Sequence, residues 1–144
     1  MRTAAEAISF HAKLQDEAAK FYEELNGKFL DSQFLLFAEE HRKHKRDVQR
    51  TYYYVITDAM EACFAFDGIN EKRYVVDGKL AENISYVDAV KKAVEIEDNM
   101  HDFCIESASC SKGMLHDVPE ALEFVAKRCV RRKKKLCALM EKAK

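Results

Sequence analysis

Four stretches of the chain repeat apolar residues three and four apart, and each repeat is interrupted near its middle by polar or sulfur-bearing side chains on the same stripe. The stripes run through Ile8, His11, Gln15, Ala18, Tyr22 and Leu25; Phe34, Phe37, His41, His44, Val48, Thr51 and Val55; Val90, Ala93, Glu97, Met100 and Cys104; and Leu122, Val125, Cys129, Arg132, Leu136 and Leu139. A 3.5-residue repeat of this kind belongs to helices that pack side by side, so the interruptions are expected to meet inside a bundle. Buried polar groups have to be paired, and a convergent polar layer is where four-helix bundles build metal sites.

Composition agrees with helix over sheet: only 4 Gly and 1 Pro in 144 residues, a length that suits a single domain, here taken as residues 1–144. A net charge of -1 implies no global attraction to nucleic acid or anionic membrane. Five cysteines, Cys63, Cys104, Cys110, Cys129 and Cys137, form no CxxC pair and leave one over, which argues against a disulfide framework or zinc knuckle and for a reducing, cytoplasmic setting. The start MRTAAEAISF has neither the basic-then-apolar profile of a signal peptide nor the length of a membrane span, so a soluble protein is expected.

Local signals place the elements. Thr3 with Glu6 makes a capping-box start, and Asn26-Gly27 predicts the stop of a first helix from Thr3 to Leu25. Asp31 or Ser32 can cap a second helix, patterned through Ala65 and closed by Asp67-Gly68. The segment Asp67 to Ile84, with Asp-Gly turns at 67–68 and 77–78 and a strand-like run Arg73 to Val76, reads as a long crossover. Ser85 with Asp88 starts a third helix to about Ala108; after a loop from Ser109 to His116, Asp117, Pro119 and Glu120 start a fourth.

These residues resemble a family. The string Gln15 to Glu23 is similar to the first helix of rubrerythrin-like members of the ferritin-like superfamily, Phe37 to His44 to their second, and Glu95 to Cys104 to their third; in the fourth only position and periodicity match. The resemblance implies an all-α, ferritin-like antiparallel four-helix bundle, two helical hairpins joined by a long crossover, holding two iron ions that serve peroxide reduction or ferrous iron oxidation. Carried over residue by residue, the helix 1 glutamate becomes Gln15, the helix 3 glutamate stays as Glu97, the helix 2 Glu-x-x-His pair becomes His41 and His44, and the helix 4 pair falls on Cys129 and Arg132. These residues carry no CxxC pair of the kind found in full rubrerythrins, so no internal electron donor is expected.

Three of four carboxylates are thus missing and an arginine is added, whereas two divalent ions in a low-dielectric core need the carboxylates' charge. An intact diiron centre is therefore not expected. Two occupants of the layer stay open: a metal-free network in which Arg132 reaches Glu97 while Gln15, His41 and His44 satisfy one another, or a mononuclear zinc, iron or nickel site on His41, His44 and Glu97, with Gln15, Cys129 or His11 as further donors. A π-bulge in helix 2 would turn Glu40 inward beside His44. Glu17 and Glu95 read as surface charge, His11 as a satisfied core histidine, His101 as lying at a helix boundary, and His116 as a loop residue.

Two surface features remain. Tyr52-Tyr53-Tyr54 spreads around the helix and hints at a second contact surface, such as the interface of a homodimer. Lys127 to Lys135 carries seven Lys or Arg in nine residues; without interleaved aromatic residues it reads as a solvated helix face rather than a nucleic-acid interface.

Overall fold

The computed structural model describes residues 3–55, 68–111 and 117–143. Among them lie four α-helices, α1 (Ala4–Phe29), α2 (Ser32–Val55), α3 (Tyr86–Ser111) and α4 (Asp117–Ala143), with a 3₁₀ turn at Glu71–Tyr74 and no strand. The expected end of the second helix at Ala65, Asp67 of the stop signal, Cys63 and His116 lie outside the described residues.

The caps form as their side-chain chemistry dictates. Thr3 Oγ1 accepts the Glu6 N–H at 3.1 Å, Asp31 Oδ1 accepts Gln33 N–H at 2.9 Å, and Ser85 Oγ accepts Asp88 N–H at 3.1 Å. The first stop falls later than expected. Gly27 stays helical, and Leu30 takes the left-handed conformation (φ 47°, ψ 55°) with its N–H bonded to the Asn26 carbonyl at 2.8 Å. The αL closure therefore comes from the position beside the next cap, Asp31, and not from the glycine. At its far end α3 runs on to Ser111, whose hydroxyl bonds the Ser107 and Ala108 carbonyls, each at 3.1 Å.

Side-chain pairs give the helix directions. Asp16 meets Lys45 at 2.8 Å and Tyr22 meets Phe37 with ring centroids 5.4 Å apart, so α1 and α2 are antiparallel. Phe10 meets Phe103 at 5.2 Å and Phe29 meets Tyr86 at 5.3 Å, so α1 and α3 are antiparallel too. Glu40 meeting Arg132 and His44 meeting Phe124 set α2 against α4 in the same sense. The helices α2 and α3, both opposed to α1, run parallel to each other. The expected crossover, Asp67 to Ile84, lies between them in sequence, with Asp67 outside the described residues.

Part of that crossover corrects the sequence reading. The run expected to be strand-like from Arg73 to Val76 begins in the 3₁₀ turn, because no neighbouring strand is there to pair with it among the described residues. Instead Asn70 supplies the partners: its side chain accepts Lys72 N–H at 3.1 Å and its carbonyl accepts Arg73 N–H at 3.1 Å. Tyr74 is buried against Phe103 with centroids 5.4 Å apart, and Asn99 Nδ2 donates to the Tyr74 carbonyl at 2.5 Å, tying the crossover to α3.

The expected stripes face inward. Tyr22, Leu25, Phe34, Phe37, Phe103 and Leu136 are fully buried, each contributing about 1.5–3 kcal/mol of apolar transfer. Only Thr51, Val55 and Leu139, at stripe ends, are half-buried. No described helix is long and apolar enough to cross a membrane.

Candidate functional site

All four helices contribute to one polar layer in the apolar core. From α1 come His11, Gln15 and Tyr22, which the i, i+4, i+11 spacing sets along one face. From α2 come His41 and His44, from α3 Glu97, and from α4 Cys129 and Arg132; none of these is more than 4% exposed.

Glu97 is the hub. Its Oε1 accepts Arg132 Nε at 2.9 Å; its Oε2 accepts the Tyr22 hydroxyl at 2.5 Å and faces His41 Nε2 at 2.9 Å. The rest of the guanidinium fans out: Nη1 donates to His44 Nε2 at 2.9 Å and reaches Glu40 Oε1 at 3.5 Å, and Nη2 donates to Cys129 Sγ at 3.4 Å. A buried ion pair is tolerable only when remaining donors and acceptors are also satisfied, which this arrangement achieves.

Burial opposes ionisation of Glu97, yet the neighbouring His41 and Arg132 and the hydrogen bonds from His41 and Tyr22 outweigh it and hold the carboxyl at about 2. Burial disfavours the charged Arg132 as well, but Glu97 raises it further above its already high ordinary value. Tyr22 is pushed well up, by burial first and then by the Glu97 charge. His44 is lowered to about 2 by burial and by Arg132, so it is neutral, with Nε2 bare to accept the guanidinium.

A second branch runs from His41 to His11. His41 Nδ1 lies 2.6 Å from Gln15 Oε1, and Gln15 Nε2 lies 3.1 Å from His11 Nε2. With the amide facing this way both His41 nitrogens meet acceptors, which demands an imidazolium. Burial, the largest influence on this ring, lowers its pKa. The two ends of a primary amide have the same shape, so the network decides its direction. A neutral His41 with its proton on Nε2, toward the carboxylate, requires the Gln15 NH₂ toward Nδ1 and the Gln15 oxygen toward a protonated His11 Nε2. His11 is itself lowered to about 3 by burial and then by His41. Its Nδ1 is buried without a partner; as a bare lone pair this costs less than an unmet N–H.

The residues expected at the site thus come together: Gln15, His41, His44, Glu97 and Arg132 in one network, Cys129 touching it, His11 at its end. Glu40 reaches the rim without the contemplated bulge, since α2 is regular α-helix from Ser32 to Val55. Glu17 and Glu95 are exposed. His101 sits in the body of α3, half-buried at the edge of its inner face, 3.0 Å from Asp102. Sequence reasoning counted Tyr22 among the apolar stripe and overlooked its hydroxyl; the available signal was that a core tyrosine needs a partner for its O–H.

As a donor set, the layer offers one buried carboxylate among the described residues, with both oxygens engaged. No three His, Cys, Asp or Glu side chains among the described residues are grouped to hold one metal ion. Fold and layer together define an all-helical bundle with a hydrogen-bonded ion pair at its centre. Comparisons of the chain with protein-family models, with curated proteins and with solved structures found no match.

Proposed function

We propose that the chain is a divergent rubrerythrin-like member of the ferritin-like superfamily in which the arginine of α4 takes the place of metal, and that it serves as a structural protein rather than an iron oxidoreductase. The observation carrying this reading is the 2.9 Å contact of Arg132 Nε with Glu97 Oε1 at the layer's centre. The donors do not fit two divalent ions: the ions would bring four positive charges beside an arginine, against Glu97 and the half-buried Glu40. Elemental analysis of protein purified without chelators is expected to give metal far below one atom per chain, with no peroxide-dependent oxidation of added ferrous iron. Two irons per chain, or such oxidation abolished by Glu97→Ala, would overturn the proposal.

One observation favours a second reading, a mononuclear site. His44 Nε2, Glu97, Glu40 and Cys129 Sγ all surround the guanidinium, and each is also a donor for a transition metal. On this reading His41, His44 and Glu97 would hold zinc or iron once Arg132 turned away. Stoichiometric uptake of one zinc or cobalt ion by the unaltered protein, lost in His44→Ala, would establish it.

A further inference from the structure

The strongest cationic surface lies where α2 and α4 run side by side. Arg42, Lys43 and Arg46 of α2 and Arg128, Arg131 and Lys135 of α4 line a groove of about 540 Å³, with Glu39 and Glu40 its two acids. Part of this charge is neutralised within the chain. Arg42 pairs with Glu23, Lys43 with Asp47 at 2.9 Å, and Arg128 lies 3.8 Å from Glu40, which also meets Arg132. Arg46, Arg131 and Lys135 have no carboxylate partner among the described residues and are exposed.

The track does not end with the groove. Arg46 also lines an adjoining recess with Gln49, Arg50, Tyr53 and Tyr54. The spacing 42, 46, 49/50, 53/54 is three or four throughout, so these positions follow one face of α2. Tyr53 is 70% exposed and Tyr54 85% exposed, two phenol rings presented to water beyond Arg46 at the end of this track. The basic run of α4 by itself lacked aromatic partners; the fold supplies them from α2.

We propose that this continuous α2/α4 face binds single-stranded nucleic acid, with phosphates along Arg46, Arg131 and Lys135 and bases stacked on Tyr53 and Tyr54. Sequence-tolerant single-strand binders combine these two elements, a positive groove for the backbone and aromatic rings for successive bases. A duplex keeps its base faces covered, so it would meet the cations but leave the tyrosines idle. The net charge of -1 is no obstacle, because the attraction is local to this face.

The test is fluorescence anisotropy with a labelled oligouridylate, at about 50 and about 200 mM salt, beside a base-free inorganic polyphosphate and a duplex of equal length. Variants Arg46→Gln/Arg131→Gln and Tyr53→Ala/Tyr54→Ala replace exposed side chains, and thermal melts check that they fold. Oligouridylate is expected to bind more tightly than duplex and to weaken with salt. The double arginine variant should lower the slope of log affinity against log salt by about 1.4, since each single-strand phosphate contact contributes about 0.7. The double tyrosine variant should weaken oligouridylate at least about fivefold per lost stack while leaving polyphosphate unchanged. Absence of binding at the lower salt overturns the proposal. Equal loss for polyphosphate and oligouridylate in the tyrosine variant overturns it in favour of a general anion face. Sedimentation showing a dimer that the tyrosine variant dissolves, with no oligonucleotide bound, overturns it in favour of a second copy of the chain.

Discussion

Arg132 donates from Nε to Glu97 and from Nη1 to His44, each across 2.9 Å, so a single guanidinium joins α4 to both α3 and α2 in the centre of the bundle. The pair is buried, with Arg132 and Glu97 each 1% exposed, which makes the two residues dependent on each other.

Replacing Arg132 by Leu leaves the Glu97 carboxylate without its cation and is expected to cost about 3–5 kcal/mol. For a chain of this size that corresponds to a Tm lower by roughly 10–17 °C. The double replacement Arg132→Leu/Glu97→Leu should recover most of the loss, because no unpaired charge remains. Urea melts that place the double variant as low as Arg132→Leu would contradict this account.

Acid should weaken the fold early. His11 and His44 have folded-state values of about 3 and about 2 against an ordinary 6.5, so below about pH 6.5 the unfolded chain takes up protons that the native protein refuses. Their stabilising effect is complete above 6.5 and drains away as pH falls, by up to about 1.4 kcal/mol per pH unit for each ring. Glu97, at about 2 against an ordinary 4.5, adds a second loss as pH drops through the region between those values. Denaturant midpoints measured from about pH 7 to about pH 4 should decline with a steepening slope, and His11→Gln should flatten the upper part. A level profile down to about pH 5 would count against the buried neutral histidines.

The direction of the Gln15 amide is accessible to nuclear magnetic resonance. Long-range ¹⁵N–¹H correlation at neutral pH should find His41 neutral and protonated at Nε2, and His44 protonated at Nδ1 with Nε2 bare. Gln15→Glu would place a second acceptor charge beside His41 and convert it to imidazolium. A doubly protonated His41 in the unaltered protein would reverse the amide assignment.

Leu30 offers a test of backbone strain. It is 83% exposed and holds φ 47°, a conformation that costs an L-residue about 1–2 kcal/mol and glycine almost nothing. Leu30→Gly should raise stability by roughly 0.5 kcal/mol after the added freedom of the unfolded chain is subtracted. A clear fall in Tm would show that the Leu30 side chain stabilises the fold through packing.

Much of the core was legible because helical periodicity and burial are the same fact seen twice: every stripe interruption named from the sequence lies inside. The pairing of Arg132 with Glu97 was also accessible, since a lone buried carboxylate and a lone buried guanidinium have few other solutions. Local stops were less legible. Asn26-Gly27 carries a stop signal that continued packing of Phe29 against Tyr86 overrides. Arg73 to Val76 has strand propensity but, among the described residues, no strand to pair with. Glu40 reaching Arg132 from the rim depends on side-chain length across two helices, a distance that no single-helix pattern encodes.

The connectivity of the layer bears on how the chain folds. Each hairpin alone would enclose half of a charged network: Gln15, Tyr22, His41 and His44 in one, Glu97 and Arg132 in the other. Neither half can therefore act as an autonomous foldon, and amide exchange across all four helices should report one common opening energy.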